Sequence, residues 1–156
     1  MAGTFGDPGP VNRTCIVPTG RAIFFPVIDA IYGAFLNDPP ETRTEEFLRA
    51  QVDCTILSAY VEFDGRAVKN PEQYIRGSEK SLFFDVQLPE DNVFGFGEDV
   101  VPELLLSPSV ESGLYLFLFP LSVGTHTLHW EASQQCPFGP FAQDITYTLV
   151  VKSGHH

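Results

Sequence analysis

The sequence predicts an all-β protein, an antiparallel two-sheet β-sandwich carrying one short inserted helix. Three observations predict it. In residues 125–133, His126, Leu128, Trp130 and Ala132 alternate with Thr125, Thr127, His129 and Glu131. Ile145, Tyr147, Leu149 and Val151 alternate in the same way with Thr146 and Thr148, so the chain closes with a strand pair that faces a core on one side. Asp64-Gly65 follows a further alternating run at once, with Arg66-Ala67-Val68 beyond it, the signature of a tight hairpin. Finally, 13 Pro and 13 Gly punctuate a chain of 156 residues that is 44% hydrophobic and holds 14 Phe, which suits many short elements around an ample core.

Taken in order, residues 1–14 are Gly, Pro and polar and read as a loose arm. Residues 15–17 and 22–28 read as the first strands, paired across Pro18-Thr19-Gly20. Pro26 deprives the second of a ladder donor and marks an edge or a bulge. The character changes at Asp29. Thr42 with Glu45 three residues on forms a capping box and opens a helix to about Val52, with Phe47, Leu48 and Val52 as its apolar stripe and Arg43 and Arg49 on its wet side. Leu57, Ala59, Val61 and Phe63 then alternate with Ser58, Tyr60 and Glu62 up to the Asp64-Gly65 turn, beyond which Arg66-Ala67-Val68 return. Leu82, Phe84, Val86 and Leu88 alternate with Phe83, Asp85 and Gln87, and an acidic loop follows over 89–98. Residues 113–119 are apolar on both faces, Leu114, Leu116 and Leu118 against Tyr115, Phe117 and Phe119, as expected of a central strand covered on both sides.

About seven or eight strands with one helix match a sandwich better than a βαβ protein. The organisation expected is an arm over 1–14, one sandwich domain over 15–152 and a purification-tag remnant over 153–156; His155 and His156 are left out of site reasoning. A chain of this length buries about 68–70% of its unfolded surface and needs no metal merely to fold.

The closing segment, Pro120-Leu121-Ser122-Val123-Gly124-Thr125-His126-Thr127-Leu128 with the alternating exit Tyr147-Thr148-Leu149-Val150-Val151, resembles the last two strands of bacterial immunoglobulin-like domains. The resemblance covers about a fifth of the chain and implies an immunoglobulin-like sandwich; the helix departs from that pattern. Cys15-Ile16-Val17-Pro18-Thr19-Gly20-Arg21-Ala22-Ile23-Phe24-Phe25-Pro26 and the Thr-His-Thr segment are also similar to small exported bacterial proteins, which implies a secreted or periplasmic protein whose signal peptide has been removed.

Charge narrows the partners. Twenty acidic against nine basic side chains give a formal charge of −11, which repels nucleic acid and anionic membrane surfaces. No apolar run reaches the length of a membrane-spanning helix. Cys15, Cys54 and Cys136 fit no zinc spacing; Cys15 with Cys54 is the first of three pairings open to them, and three reduced buried thiols are the alternative.

Candidate sites lie mainly in loops. Phe94 and Phe96 flank Gly95, and Phe138 and Phe141 flank Gly139-Pro140. Exposed rings there stack on a sugar or cover an apolar ligand; the competing reading is that they plug the sandwich ends. Glu90, Asp91, Glu98 and Asp99, with Glu103 nearby, offer oxygen ligands to calcium, although the order of a helix-loop-helix calcium loop is missing. His126 and His129 project to opposite faces of one strand and cannot share a metal without a bulge. His129 joins the ligand-binding candidates, and with Cys136 in the following loop it forms a candidate thiol–imidazole pair. Asn12-Arg13-Thr14 matches a glycosylation acceptor, while phosphate-loop, nucleophile-elbow and His-Glu-x-x-His motifs do not occur.

The sequence therefore points to a non-catalytic exported binding module, with no cofactor unless calcium, that takes a small molecule, glycan or protein partner through its aromatic and acidic loops. Two alternatives stand beside it. One is a small hydrolase or isomerase with a pocket inside the sandwich, using His126 and a carboxylate. The other is an assembly subunit that forms homo-oligomers through edge strands, which Pro26 discourages on one side.

Overall fold

The computed structural model describes residues 9–69 and 81–153; residues 1–8 of the expected arm and residues 154–156 of the expected tag remnant lie outside the described part. Eight strands follow one another among the described residues: β1 (Pro10–Pro18), β2 (Ile23–Phe35), β3 (Thr55–Phe63), β4 (Arg66–Ala67), β5 (Phe84–Gln87), β6 (Leu105–Leu118), β7 (Gly124–Cys136) and β8 (Gly139–Lys152). One helix, α1 (Glu45–Gln51), lies between β2 and β3. The strands form a five-stranded sheet in the order β1-β8-β7-β3-β4 and a three-stranded sheet in the order β2-β6-β5. This is an all-β two-sheet sandwich with a short helix.

The closing pair carries the main core. Leu128, Trp130 and Ala132 of β7 and Ile145, Tyr147, Leu149 and Val151 of β8 all point inward, as their alternation predicts. Trp130 stacks on Tyr147 at 5.7 Å and meets Phe25 of the opposite sheet at 5.0 Å, which closes the sandwich across its middle. Val27, Ile28, Val61 and Leu114 complete this layer. Two buried glutamines, Gln134 and Gln143, donate across the core to the carbonyls of Asp29 and Val27. Both carbonyls lie beside the register shift between Pro26 and Ile28, where the β2 ladder is interrupted, and an unpaired buried carbonyl there is costly. The bulge expected at Pro26 is present, and β2 is an edge strand.

The structure corrects several expectations. β1 begins at Pro10, so residues 10–14 are strand rather than arm; Val11, Arg13, Cys15 and Val17 alternate inward, and Arg13 lies over the Tyr147 ring. β1 pairs with β8 in parallel, so the five-stranded sheet is mixed rather than purely antiparallel. β1 and β2 do not pair with each other. Both bury an apolar face in the shared core, so they sit in opposite sheets, and the Thr19-Gly20 corner carries the chain across, with Gly20 at φ 78°.

The helix is capped by Thr44, whose hydroxyl accepts from the Phe47 amide, and not by Thr42, which hydrogen-bonds to Pro39 at the preceding 3₁₀ turn. Leu48 and Val52 are buried against Ala30, Ala34, Val110 and Cys136. Arg43 and Arg49 are not simply wet: Arg43 donates to the carbonyls of Leu36 and Ser107, and Arg49 pairs with Glu45 and donates to the Ser81 carbonyl.

The Asp64-Gly65 hairpin forms as predicted, with Glu62 opposite Ala67 and Phe63 opposite Arg66. Leu57 is exposed because a register shift between Ile56 and Ser58 turns it outward. Residues 113–118 of β6 are covered on one face only: Leu114 and Leu116 are buried, whereas Phe117 is exposed. β5 pairs with β6 only from Leu105 to Ser109, so beyond Ser109 β6 has β2 alone as a strand partner among the described residues.

The cysteine pairing also differs. Cys54 and Cys136 form the disulfide, because β3 and β7 are neighbours and the Thr55–Gln135 register sets the two residues side by side. Cys15 lies on β1, beyond β8, and is free.

Candidate functional site

The outward face of the three-stranded sheet is built from alternate residues of β2 and β6. Phe24 sits opposite Phe117 and Pro26 opposite Tyr115. Phe24 stacks on Tyr115 at 5.0 Å with planes 9° apart, and Phe117 meets Phe119 edge-on at 5.5 Å. Phe24, Phe117 and Phe119 remain 59%, 55% and 79% exposed. Scattered exposed apolar side chains are ordinary, whereas a contiguous row of them is a candidate contact surface.

Polar groups border the rings along the same strands. Asp29 lies opposite Gly113, and Glu111 and Tyr115 flank that glycine two residues on either side. Burial, and then the charge of Glu111, push the Asp29 carboxyl up to about 6 from an ordinary 3.8. Tyr115 donates its hydroxyl to Glu111, and burial together with that bond raises the phenol. Gly113 is required here, since a Cβ would stand 2.6 Å from the Ile28 carbonyl oxygen and from the Asp29 Cβ. A desolvated carboxyl with a charged neighbour is a mark of functional surfaces. The arrangement supplies stacking faces together with hydrogen-bond donors and acceptors.

A second cluster lies on the outward face of the five-stranded sheet. His129 Nε2 is 3.0 Å from Asp144 Oδ1 and 3.6 Å from Glu131 Oε1, and one ligand atom from each residue lies within 4.8 Å of the others. Glu131 is opposite both Asp144 and Tyr60, and His129 is opposite Glu62. Tyr60 sets its ring edge against His129 and donates its hydroxyl to Glu62.

His126 does structural work at the start of β7. Its Nδ1 is 2.7 Å from Asp64 Oδ2, its Nε2 is 3.0 Å from the Ser122 carbonyl, and its ring stacks on Phe63. Both partners are acceptors, so the ring satisfies them together only when both nitrogens carry protons. The hydrogen bond to Asp64 and then that to Ser122 raise its pKa, and the same pairing lowers that of Asp64. The sandwich interior is occupied by Phe25, Trp130, Leu128 and other core side chains. Asp64 also accepts from the Thr127 amide, so the pair fastens the hairpin turn to β7.

The loop candidates divide. Phe96 is half-buried, between Phe94 at 5.4 Å and Phe35 at 5.9 Å, and Asn92 ties the loop by bonding to both the amide and the carbonyl of Phe96. Phe141 packs on the main core, while Phe94 and Phe138 are exposed. Phe96 and Phe141 therefore belong to different hydrophobic clusters. Glu90, Asp91, Glu98 and Asp99 are all exposed around the loop, and the one group of metal-ligating atoms among the described residues is the His129 cluster. The expected thiol–imidazole pair does not exist, because Cys136 ends β7 as half of a disulfide.

Sequence reasoning missed the carboxylates beside the rings and the partners of His129. A signal for the first is visible afterwards: Asp29 is the sole charge in the apolar β2 run, Ile23–Phe35. For the second, Glu131 follows His129 at the two-residue spacing of one strand face, but Asp144 is reached only through the β7–β8 register.

Fold and surface together define a β-sandwich whose interior is packed and whose distinctive chemistry lies on its outer faces. Comparison with protein-family models, curated proteins and solved structures finds no match, so function is read from this geometry.

Proposed function

We propose that the protein is an exported, non-catalytic binding module that takes a glycan on the outward face of its three-stranded sheet. The observation that carries this reading is the exposed row Phe24, Phe117 and Phe119 bordered by Asp29, Glu111 and Tyr115. Aromatic faces pack against the C–H faces of sugar rings, and a few convergent carboxylates and hydroxyls fix orientation through the sugar hydroxyls. The filled interior favours a surface ligand over an enclosed substrate. The disulfide fits an oxidising compartment and supports export. No helix among the described residues is long and apolar enough to cross a membrane.

This moves the expected binding surface from the loops to a sheet face, where Phe94 and Phe138 are peripheral. Titration calorimetry against a panel of soluble oligosaccharides tests it. At least one glycan binds, and the double variant Phe117→Ser with Phe119→Ser loses that binding while its melting temperature stays close to that of the parent, since both rings face solvent. Binding by none of the panel, or undiminished binding by the double variant, overturns the reading. Concentration-dependent light scattering that disappears in the same variant would instead support the assembly subunit, joined through the half of β6 beyond Ser109.

A further inference from the structure

We propose that His129, Glu131 and Asp144 form a binding site for one divalent transition ion of the zinc class on the outward face of the five-stranded sheet. The donor set selects the ion. An imidazole nitrogen with two carboxylates suits zinc, cobalt or nickel, whereas calcium takes six to eight oxygens and seldom a nitrogen. An ion of the zinc class with bonds of about 2.0–2.2 Å in tetrahedral geometry spaces its ligand atoms by about 3.3–3.6 Å. The observed separations, 3.0 Å from His129 to Asp144 and 3.6 Å from His129 to Glu131, bracket that range before any adjustment. All three ligand atoms lie within 4.8 Å of one another, and Glu131, the most exposed of the three, has the freedom to close the remaining edge.

The backbone beneath the site is stiff. β7 and β8 pair in unbroken register from Gly124–Val151 to Cys136–Gly139, which fixes Glu131 against Asp144 and places His129 two residues along the same face. A ligand set held by two strands of a regular ladder loses little freedom on binding an ion. No lysine or arginine among the described residues pairs with Glu131 or Asp144, whose close contacts are with the His129 ring. Glu62, opposite His129 and hydrogen-bonded by Tyr60, adds a further negative group next to the set. Three protein ligands leave the outward coordination position to water or to a group on a partner. The inference does not depend on the glycan reading, which concerns the opposite face of the molecule.

The test uses the whole chain with His155 and His156 replaced by alanine, so that terminal imidazoles contribute nothing. Zinc titration by calorimetry reads stoichiometry, and cobalt absorption in the visible reads coordination number. One ion per chain is expected, with a four- or five-coordinate cobalt spectrum and no response to calcium. Asp144→Asn and His129→Gln each weaken zinc on the order of 10–100-fold or more. Glu131→Gln, at an exposed position, does so without touching the fold, and melting temperatures of the metal-free variants confirm that folding is intact. Absence of saturable zinc uptake, or uptake that all three variants leave unchanged, overturns the site.

Discussion

On β7 and β8 the positions that point away from the core include Thr125, Thr127, His129, Glu131, Asp144, Thr146 and Thr148, side chains that water solvates readily, although Ile16 and Leu57 elsewhere in that sheet are exposed. On the three-stranded sheet the corresponding positions hold Phe24, Pro26, Tyr115 and Phe117, with Asp29 and Glu111 beside them. The inner faces of both sheets are apolar and contribute to one core, so packing does not explain the contrast. The β7–β8 ladder is also unbroken, whereas β2 shifts register twice against β6. The difference separates a regularly paired frame from a face that leaves apolar rings exposed. In the closing strands period, register and burial agree, and the exception is the Trp130 indole N–H, buried without a hydrogen-bond partner among the described residues; the β2–β6 face keeps rings in water and a carboxyl out of it, both unfavourable for an isolated domain.

If the five-stranded sheet is the frame, the largest loss comes from cutting its covalent tie. Cys54 and Cys136 are separated by 82 positions, and cross-linking so long a loop restricts the unfolded chain by about 4 kcal/mol. The sulfurs also pack in the cluster of Ala34, Leu48, Val52 and Val110, where the helix meets both sheets. The double variant Cys54→Ala with Cys136→Ala is expected to lose on the order of 3–5 kcal/mol in urea unfolding. A loss below about 1 kcal/mol would mean that the frame is held elsewhere.

A smaller effect of opposite sign is expected on the other sheet. Asp29 is raised to about 6 by burial and by Glu111, so the folded state binds its proton more tightly than the unfolded chain does. Stability therefore falls as pH climbs from 3.8 to about 6, and above 6 the full penalty remains. Asp29→Asn keeps the shape and removes the charge. It should stabilise the protein by about 2 kcal/mol at pH 8 and by almost nothing at pH 3.5. Equal unfolding free energies for variant and parent at both pH values would show that this carboxyl bears no strain and would weaken the contrast between the sheets.

The same contrast governs what could be read from residues alone. The β7–β8 pair and the Asp64-Gly65 hairpin were legible because period, turn chemistry and burial agree in them. Where alternation is interrupted, sequence reading failed: the bulge after Ile56 puts Leu57 in solvent, and β1 and β2 read as neighbours although they share a core rather than a ladder. The row Tyr115, Phe117, Phe119 read as a buried second face because apolar rings are ordinarily covered, which is the assumption that a contact surface violates. Long-range pairings stayed hidden for another reason. Cys54 with Cys136, His129 with Asp144 and Asp29 with Glu111 are joined by register between strands distant in sequence, and no local pattern encodes it. The start of the helix reads two residues early, while its end near Val52 agrees, because Thr42 and Thr44 both precede a glutamate run and only the 3₁₀ turn at Pro40–Arg43 decides between them.

The smallest effect sharpens the frame at its margin. His126 lies between Asp64 and the Ser122 carbonyl, two acceptors that favour the imidazolium and raise its pKa above the ordinary 6.5. Its contribution is fully present below 6.5 and fades as pH rises through the raised value; that of Asp64, lowered from 3.8, is present above 3.8 and fades as pH falls through the lowered value. The clamp is therefore strongest between about pH 4 and 6.5. The charge of Arg66 also lowers the pKa of Asp64, after the hydrogen bonds from His126 and Thr127. Because the pair is largely solvent-screened, the decline from pH 6 to 9 should stay below about 1 kcal/mol. Measured in the Asp29→Asn background, which removes the competing titration, that decline should flatten in Asp64→Asn, a substitution that retains an acceptor for the Thr127 amide and tolerates the φ of 48° at this turn. If Asp64→Asn leaves the slope from pH 6 to 9 unaltered, His126 does not fasten the hairpin as an imidazolium, and the frame owes nothing to charge at that corner.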